Sequence, residues 1–343
     1  MKRISLAILA ALLMVALTAT AFAADDTLTP TNKLVFYSGA ATDETERLVE
    51  EFNKVHPEIE VEIVTAGTGE LQSKIVAESG NPQGDVLLGG SLSIYAALSD
   101  QLESYTSPNT ADYYEAFRPT SDKWSVYNIN VNSIIVNKTL CQELGVEVTG
   151  WESLTDERLK GQIAFCDPSG SASALEQVVN MLTAMTTTDT PDGGWDFIRT
   201  FVQNLDGKIL TSSSAVYKGV AAGEYAVGIT NENKTLTYIS EGYDVGVVYA
   251  KEGITLRTSN CAIIKGGPNL YSAQLFIDFC TSKEWQSILE SEFFYRPGNA
   301  KVEMTTPGVT PTDELVSLPY PSEWVEQNSN SIKEKFQDIV TSL

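Results

Sequence analysis

The sequence predicts an α/β protein built as two similar lobes. Short β-branched runs alternate with amphipathic stretches through the first half, and the same strand-helix alternation returns in the second half. No repeat at a fixed short period joins them, which excludes a solenoid. A chain of 343 residues leaves room for about two domains with real cores. Its composition, 43% hydrophobic and 20% charged, is that of a folded soluble protein, because that apolar fraction offsets chain entropy.

The elements follow in order. Leu34 to Tyr37 is apolar throughout and predicts a buried strand, and Asp43 to Val55 a helix with Leu48, Val49 and Phe52 on one stripe; Asp43 and Glu46 have capping-box spacing. Ile59 to Ile63 alternates strictly, as a strand with one wet face does. Leu71, Ile75 and Val76 mark a helix ending near Gly80, and Val86 to Leu88 another strand, so the unit predicts a largely parallel sheet. In the second half, Gly161 to Phe165 is a strand, followed by a helix with Leu175, Val178, Val179 and Leu182 at helical spacing. Lys208 to Leu210, Ala215 to Ala222 and Ala226 to Ile229 give a second strand-helix-strand unit. Val245 to Tyr249 and Cys261 to Ile264 read as strands, Ala273 to Cys280 and Lys283 to Glu290 as helices.

Lys2 and Arg3 precede an apolar run from Ile4 to Leu17, and Ala21-Phe22-Ala23 supplies small residues where a signal peptidase reads, so residues 1–23 are expected to be a secretory signal cleaved after Ala23. The run is too short to span a bilayer, and no cysteine stands at the cleavage point to carry lipid. A freely diffusing exported protein is retained where an outer membrane encloses it, which predicts a periplasmic location. A net charge of −22 repels phosphate backbones and argues against a nucleic-acid partner. His56 is the only histidine, so any triad or multi-histidine zinc site would have to use it; in Val55-His56-Pro57 it reads as a surface residue at a helix end. Export makes disulfides possible. Cys141 with Cys166 and Cys261 with Cys280 are the sequence-local pairings, and four buried thiols are the alternative.

At five places a predicted strand or turn runs into a Gly/Ser/Thr cluster and then a helix: Ser38-Gly39, Gly67-Thr68-Gly69, Gly89-Gly90-Ser91, Ser169-Gly170-Ser171 and Ser212-Ser213-Ser214, the last leading into Ala215. A helix start presents unpaired N–H groups and about half a positive charge, and small residues let a ligand approach the backbone. In an open α/β sheet such corners lie at the carboxyl ends of strands, where ligands bind. For each corner the alternative is a hydroxyl that only caps its own helix.

The stretches LVFYSGA, VTAGTGELQSKIVAESGNPQGDVLLGGS, GQIAFCDPSGSASA, WDFI with NLDGKILTSSSAVYKGVAAGEYAVGIT, and AIIKGGPNLYSAQLFIDF resemble the solute-binding proteins of ABC importers, specifically the ferric-ion, hexose-phosphate and thiamine branch of the type 2 periplasmic binding family. The resemblance implies two lobes, each a mixed β-sheet flanked by helices, with a ligand cleft between them. It implies a first lobe of residues 24–127 plus 253–305 and a second of 128–252 plus 306–343. The chain is expected to cross near Ser125 to Asn130 and return near Lys251 to Arg257. It further implies a monomeric receptor with no catalytic residues, metal or cofactor, whose partners are a small solute and an ABC permease in the inner membrane. Ferric-binding members carry two adjacent tyrosines where this chain reads Asn231-Glu232-Asn233-Lys234, and neither Tyr225 nor Tyr238 restores the pair. The expected ligand is therefore a small anionic, phosphorylated organic solute; Fe³⁺, thiamine or a polyamine are the alternatives, the cations stacking on Trp124, Tyr127 or Tyr249. Expected ligand-binding residues are Ser38, Gly67, Thr68, Gly69, Gly90, Ser91, Ser169, Ser171, Ser213, Ser214, Ala215, Glu232 and Tyr249. Glu232 reads either as an acceptor for solute hydroxyls or as a solvated loop acid, and Arg296 and Lys218 as the basic residues nearest an anion. An exported carboxylate hydrolase and a sensor subunit for a signalling receptor are the rival classes.

Overall fold

A computed structural model describes residues 29–343; the expected signal segment lies outside the described residues. The elements are β1 (Lys33–Ser38), α1 (Thr42–Val55), β2 (Glu60–Thr65), α2 (Thr68–Ala77), β3 (Val86–Leu88), α3 (Leu92–Ala97), β4 (Ser125–Asn137), α4 (Lys138–Leu144), β5 (Ile163–Ala164), α5 (Ala172–Ala184), α6 (Trp195–Leu205), α7 (Ser213–Ala221), β6 (Val227–Asn231), α8 (Glu232–Ser240), β7 (Val245–Val248), β8 (Ile254–Ile263), α9 (Leu270–Thr281), α10 (Lys283–Phe293), β9 (Ser317–Leu318) and α11 (Ser322–Ser342).

The strands run in the order β2-β1-β3-β8-β4-β6-β5, with β7 on β4 and β9 on β8. Only β1/β2, β1/β3, β5/β6 and β8/β9 are parallel. The long strands β4 and β8 run antiparallel to each other and to their neighbours β3, β6 and β7, so the largely parallel sheet expected from the repeated units is mixed. Both long strands serve two cores. Alternation along β1 sends Leu34 and Phe36 to a cluster with Phe52, Phe276 and Trp285, and Tyr37 to one with Leu71, Tyr95 and Leu98 on the other face. A separate core gathers Ile134, Trp151, Phe165, Val178, Phe201 and, from α11, Phe336. These are the interiors of the two lobes, and β4 with β8 forms the ribbon between them.

Three local expectations change, and one open alternative is decided. The capping pair Asp43/Glu46 is not used: α1 starts one residue earlier with Ala41 at the cap and no side-chain bond, which puts Asp43 and Glu44 in the first turn, where the helix dipole favours acids. β2 is an edge strand, so Ile63 is exposed as well as its polar neighbours. Lys208 to Leu210 contributes only a bridge between Leu210 and Cys166, because no further strand lies beyond to pair with it. All four cysteines are free and buried, the second of the two readings.

Candidate functional site

The strand register brings the predicted corners into two facing rows. Ser38, the last residue of β1, aligns with Leu88 of β3; Leu88 aligns with Cys261 of β8, and Cys261 with Ser125 at the start of β4. β1, β2 and β3 therefore end where β4 begins, and β4 continues past them. At Asn132 it aligns with Asn231, the last residue of β6, which runs the opposite way. β6 and its parallel neighbour β5 thus end pointing back at the first lobe. The ends of Ser38, Thr65 and Leu88 face that of Asn231 across about seven residues of ribbon, roughly 23 Å at about 3.3 Å per residue, with Ala164 set further back on the same side.

On the first lobe the corners touch. A Cβ on Gly39 would lie 2.3 Å from Thr68 Cγ2, and one on Gly90, at φ +88°, would meet the same methyl at 3.2 Å. A Cβ at Gly67 or Gly69 would meet nothing within 4 Å. The Ser38 hydroxyl is turned inward, fully buried and 2.7 Å from Thr45 Oγ1. Ser91 Oγ bonds Ser93 Oγ at 2.8 Å. Neither α1, α2 nor α3 has a side-chain cap, so the hydroxyls here do not consume the first-turn N–H groups.

On the second lobe the outcome is split. Ser171 caps α5 through Ala174 N at 3.3 Å, and Ser212 caps α7 through Ala215 N at 3.3 Å. Ser213, Ser214 and Ala215 form the half-buried first turn of α7. Ser169 is exposed beside Asn330 and Lys333 of α11. Lys218 lies at the far end of α7 and is exposed, away from the corner that begins the helix.

Glu232 opens α8, whose Asn231 cap makes no side-chain bond. It is neither a solvated loop acid nor open to a solute: it is 2% exposed, and its carboxylate is taken. Arg296 donates from Nε at 2.9 Å to Oε2 and from Nη2 at 2.7 Å to Oε1, and the Tyr249 hydroxyl donates to Oε1. Arg296 is itself fully buried, gives Nη1 to Thr312 Oγ1 at 3.1 Å, and accepts from Ile129 N with its carbonyl. Burial alone would lower the Arg296 guanidinium; the bonds and charge of Glu232 outweigh it and raise it. Burial, then Glu232, pushes the Tyr249 phenol well up, so it stays a donor. Tyr127 is a core residue, and Tyr238 packs between Tyr217, tilted, and Tyr243, edge-on.

A cavity of about 510 Å³ opens between the lobes. Its wall includes Ser91 and Phe117 from the first lobe, Leu256 and Arg257 from β8, and Glu176, Tyr320 and Val325 from the second. Of the residues expected to bind ligand, only Ser91 lines it. Arg257 figured in the sequence only as the end of a crossing segment; no local pattern distinguishes a cavity arginine from a surface one.

The family profile of bacterial extracellular solute-binding proteins matches residues 47–314. The chain is 25% identical to the periplasmic binding protein AfuA of Actinobacillus pleuropneumoniae, solved with exogenous fructose-6-phosphate bound, with a TM-score of 0.73 over 91% of this chain and 99% of that one. It is 23% identical over 261 residues, 75% of this chain and 72% of the other, to a Salmonella typhimurium protein named as a 2-aminoethylphosphonate-binding periplasmic protein. Iron uptake protein A1 of a Synechocystis species is 22% identical over 263 residues, 72% of this chain and 70% of that one.

Proposed function

The chain belongs to the bacterial extracellular solute-binding proteins, and from that premise we propose that it captures a small anionic organic solute, phosphorylated or phosphonate-bearing, between its lobes and delivers it from the periplasm to the permease of an ABC importer. The observation that carries this reading is the pair of facing rows, in which α1 and α2 present first turns without a side-chain cap. Backbone N–H groups at such ends suit an anion without any net positive charge on the protein. In this reading Gly67, Thr68, Gly69, Gly90, Ser91, Ser169, Ser171 and Ser213 to Ala215 supply amides and hydroxyls, while Ser38, Glu232 and Tyr249 hold the walls in place. Fe³⁺ is the poorer cargo, since Asn231 to Lys234 stand where ferric-binding members carry their adjacent tyrosines, and Glu232 is committed to Arg296. The acidic surface is compatible with an anion, because exposed charge is screened within roughly 8 Å while a preorganised cleft acts locally.

A thermal-shift screen of residues 24–343 tests the reading, with hexose phosphates, alkylphosphonates, inorganic phosphate, thiamine, polyamines and Fe³⁺. At 100 times its dissociation constant a bound solute stabilises by about 2.7 kcal/mol, a rise of several degrees. The largest rise is expected from a phosphorylated or phosphonate compound. Silence from all of these, with stabilisation by Fe³⁺, thiamine or a polyamine, refutes the anion assignment.

A further inference from the structure

Among the described residues Arg257 is the only lysine or arginine lining the cavity between the lobes, whose size, about 510 Å³, is that of a small-molecule site. It sits where β8 is unpaired on one side. β4 covers one edge of Leu256–Ser259; on the other edge β3 reaches only Cys261 to Ile263 and β9 only Ile254 and Thr255. The cavity lies against that uncovered stretch, with Leu256, Arg257 and Thr258 in its wall.

The guanidinium is held but not used up. Nη1 lies 3.0 Å from Glu176 Oε1, and the guanidinium carbon lies 6.0 Å from the centre of the Tyr320 ring. Tyr320 in turn donates its hydroxyl to Glu176 Oε2 at 2.5 Å. Burial, then the Glu176 carboxylate, pushes the Tyr320 phenol well above its ordinary value, which keeps it a donor. Nε and Nη2 of Arg257 have no hydrogen-bond partner among the described residues. Arg296 makes the instructive contrast. It is clasped by the same residue types, Glu232 and Tyr249, yet its side chain is 0% exposed against 20% for Arg257, and Nε, Nη1 and Nη2 all have partners. One Arg-Glu-Tyr cluster is closed; the other opens on the cavity.

We propose that Arg257 reads the anionic group of the solute through the free edge of its guanidinium fork, with Glu176 and Tyr320 as positioning residues. The assignment rests on the anion-binding reading above. A planar fork with two donors on one edge fits a phosphoryl, phosphonate or carboxylate group in bidentate fashion. The rest of the wall sets apolar Leu92, Phe117, Leu256 and Val325 beside serines and a second carboxylate, Glu326, so the preferred solute carries an organic body that fills the apolar part and holds its anion on Arg257, and inorganic phosphate binds more weakly.

The test is calorimetric titration of the wild-type protein, Arg257→Met, Arg257→Lys and Glu176→Gln with inorganic phosphate, methylphosphonate, butylphosphonate and glucose 6-phosphate, with thermal unfolding of each unliganded variant as the folding control. The expected result is at least tenfold weaker binding of the organophosphorus anions by Arg257→Met. Arg257→Lys should fall in between, because a lysine keeps the charge and loses the fork. Glu176→Gln removes the competing carboxylate and should bind severalfold tighter, an outcome a merely structural role would not give and one that holds even if Arg257→Met fails to fold. Wild-type affinity in Arg257→Met and Arg257→Lys overturns the assignment of Arg257 and leaves the anion reading standing. A wild-type protein that binds none of the four anions but binds thiamine or spermidine overturns the anion reading itself.

Discussion

Replacing Glu232 by alanine removes the carboxylate that faces a fully buried arginine, and the structure sets the size of the effect. Both side chains lie at or below 3% exposure, so water cannot take over from the missing partner. Breaking a buried pair by removing one member costs about 3–5 kcal/mol, chiefly because the other charge is left uncompensated. The Tyr249 hydroxyl loses its acceptor at the same stroke. With an unfolding entropy of about 2.1 cal/mol/K per residue, the roughly 300 folded residues lose about 1 °C for each 0.65 kcal/mol, so the midpoint should fall by about 5–8 °C. The assay is thermal unfolding followed by circular dichroism for Glu232→Ala, Arg296→Met and the double variant. Each single variant should be strongly destabilised, and the double variant should lose much less than the sum, with a coupling near 3 kcal/mol. Burial also makes the effect insensitive to salt. Additive losses of under about 1 kcal/mol each, the behaviour of an exposed pair, would refute the reasoning. They would also return Glu232 to the role its position in the sequence first implied, an acid free to accept a solute hydroxyl.

Glu44, in the first turn of α1, is buried, and desolvation raises its carboxyl to about 7 against the opposing effects of Tyr127 and Lys234. Its folded-state value lies above the unfolded one, so the folded state binds the proton more tightly and stability falls as pH rises from about 4.5 through about 7. At about 1.36 kcal/mol per pKa unit this amounts to about 3 kcal/mol; Glu44→Gln should raise the unfolding midpoint at pH 8.5 and leave it nearly unchanged at pH 4, and equal shifts at both pH values would contradict the burial. Gly39→Ala should destabilise by about 1–3 kcal/mol through overpacking against Thr68, while Gly67→Ala, with open space around its Cβ, should stay within about 0.5 kcal/mol. Thr68→Ser, which deletes the clashing methyl, should rescue Gly39→Ala in urea titrations; no rescue would mean that the two corners do not touch.

What the sequence made legible is what is local. The helix of Leu175, Val178, Val179 and Leu182 and the corners with their Gly and Ser residues are written within a few residues of one another, where period and turn chemistry act. Two kinds of feature escape that range. One is partnership at a distance: Glu232 and Arg296 stand 64 positions apart, and nothing near Glu232 announces that its lone pairs are spoken for. The same holds for Glu176 with Arg257, since an acid on an amphipathic helix and a base on a strand each look like ordinary surface residues. The other is what lies beyond a strand. Lys208 to Leu210 has the composition of a strand, yet with only Cys166 to bridge to it remains a single contact, because a strand is made by its neighbour as much as by its residues.

The direction in which the two rows of corners face also depends on a long-range fact, the antiparallel course of β4. Had β6 run parallel to β4, its carboxyl end would point away from the first lobe, and the corners after β5 and β6 would lie on the far side of the molecule with the same local sequence. The register Asn132 to Asn231, set against Ser125 to Cys261, turns a set of separate helix starts into one gap. It also fixes Arg257 opposite Asn130, two residues short of the Asn132–Asn231 pair, on the ribbon that joins the two rows.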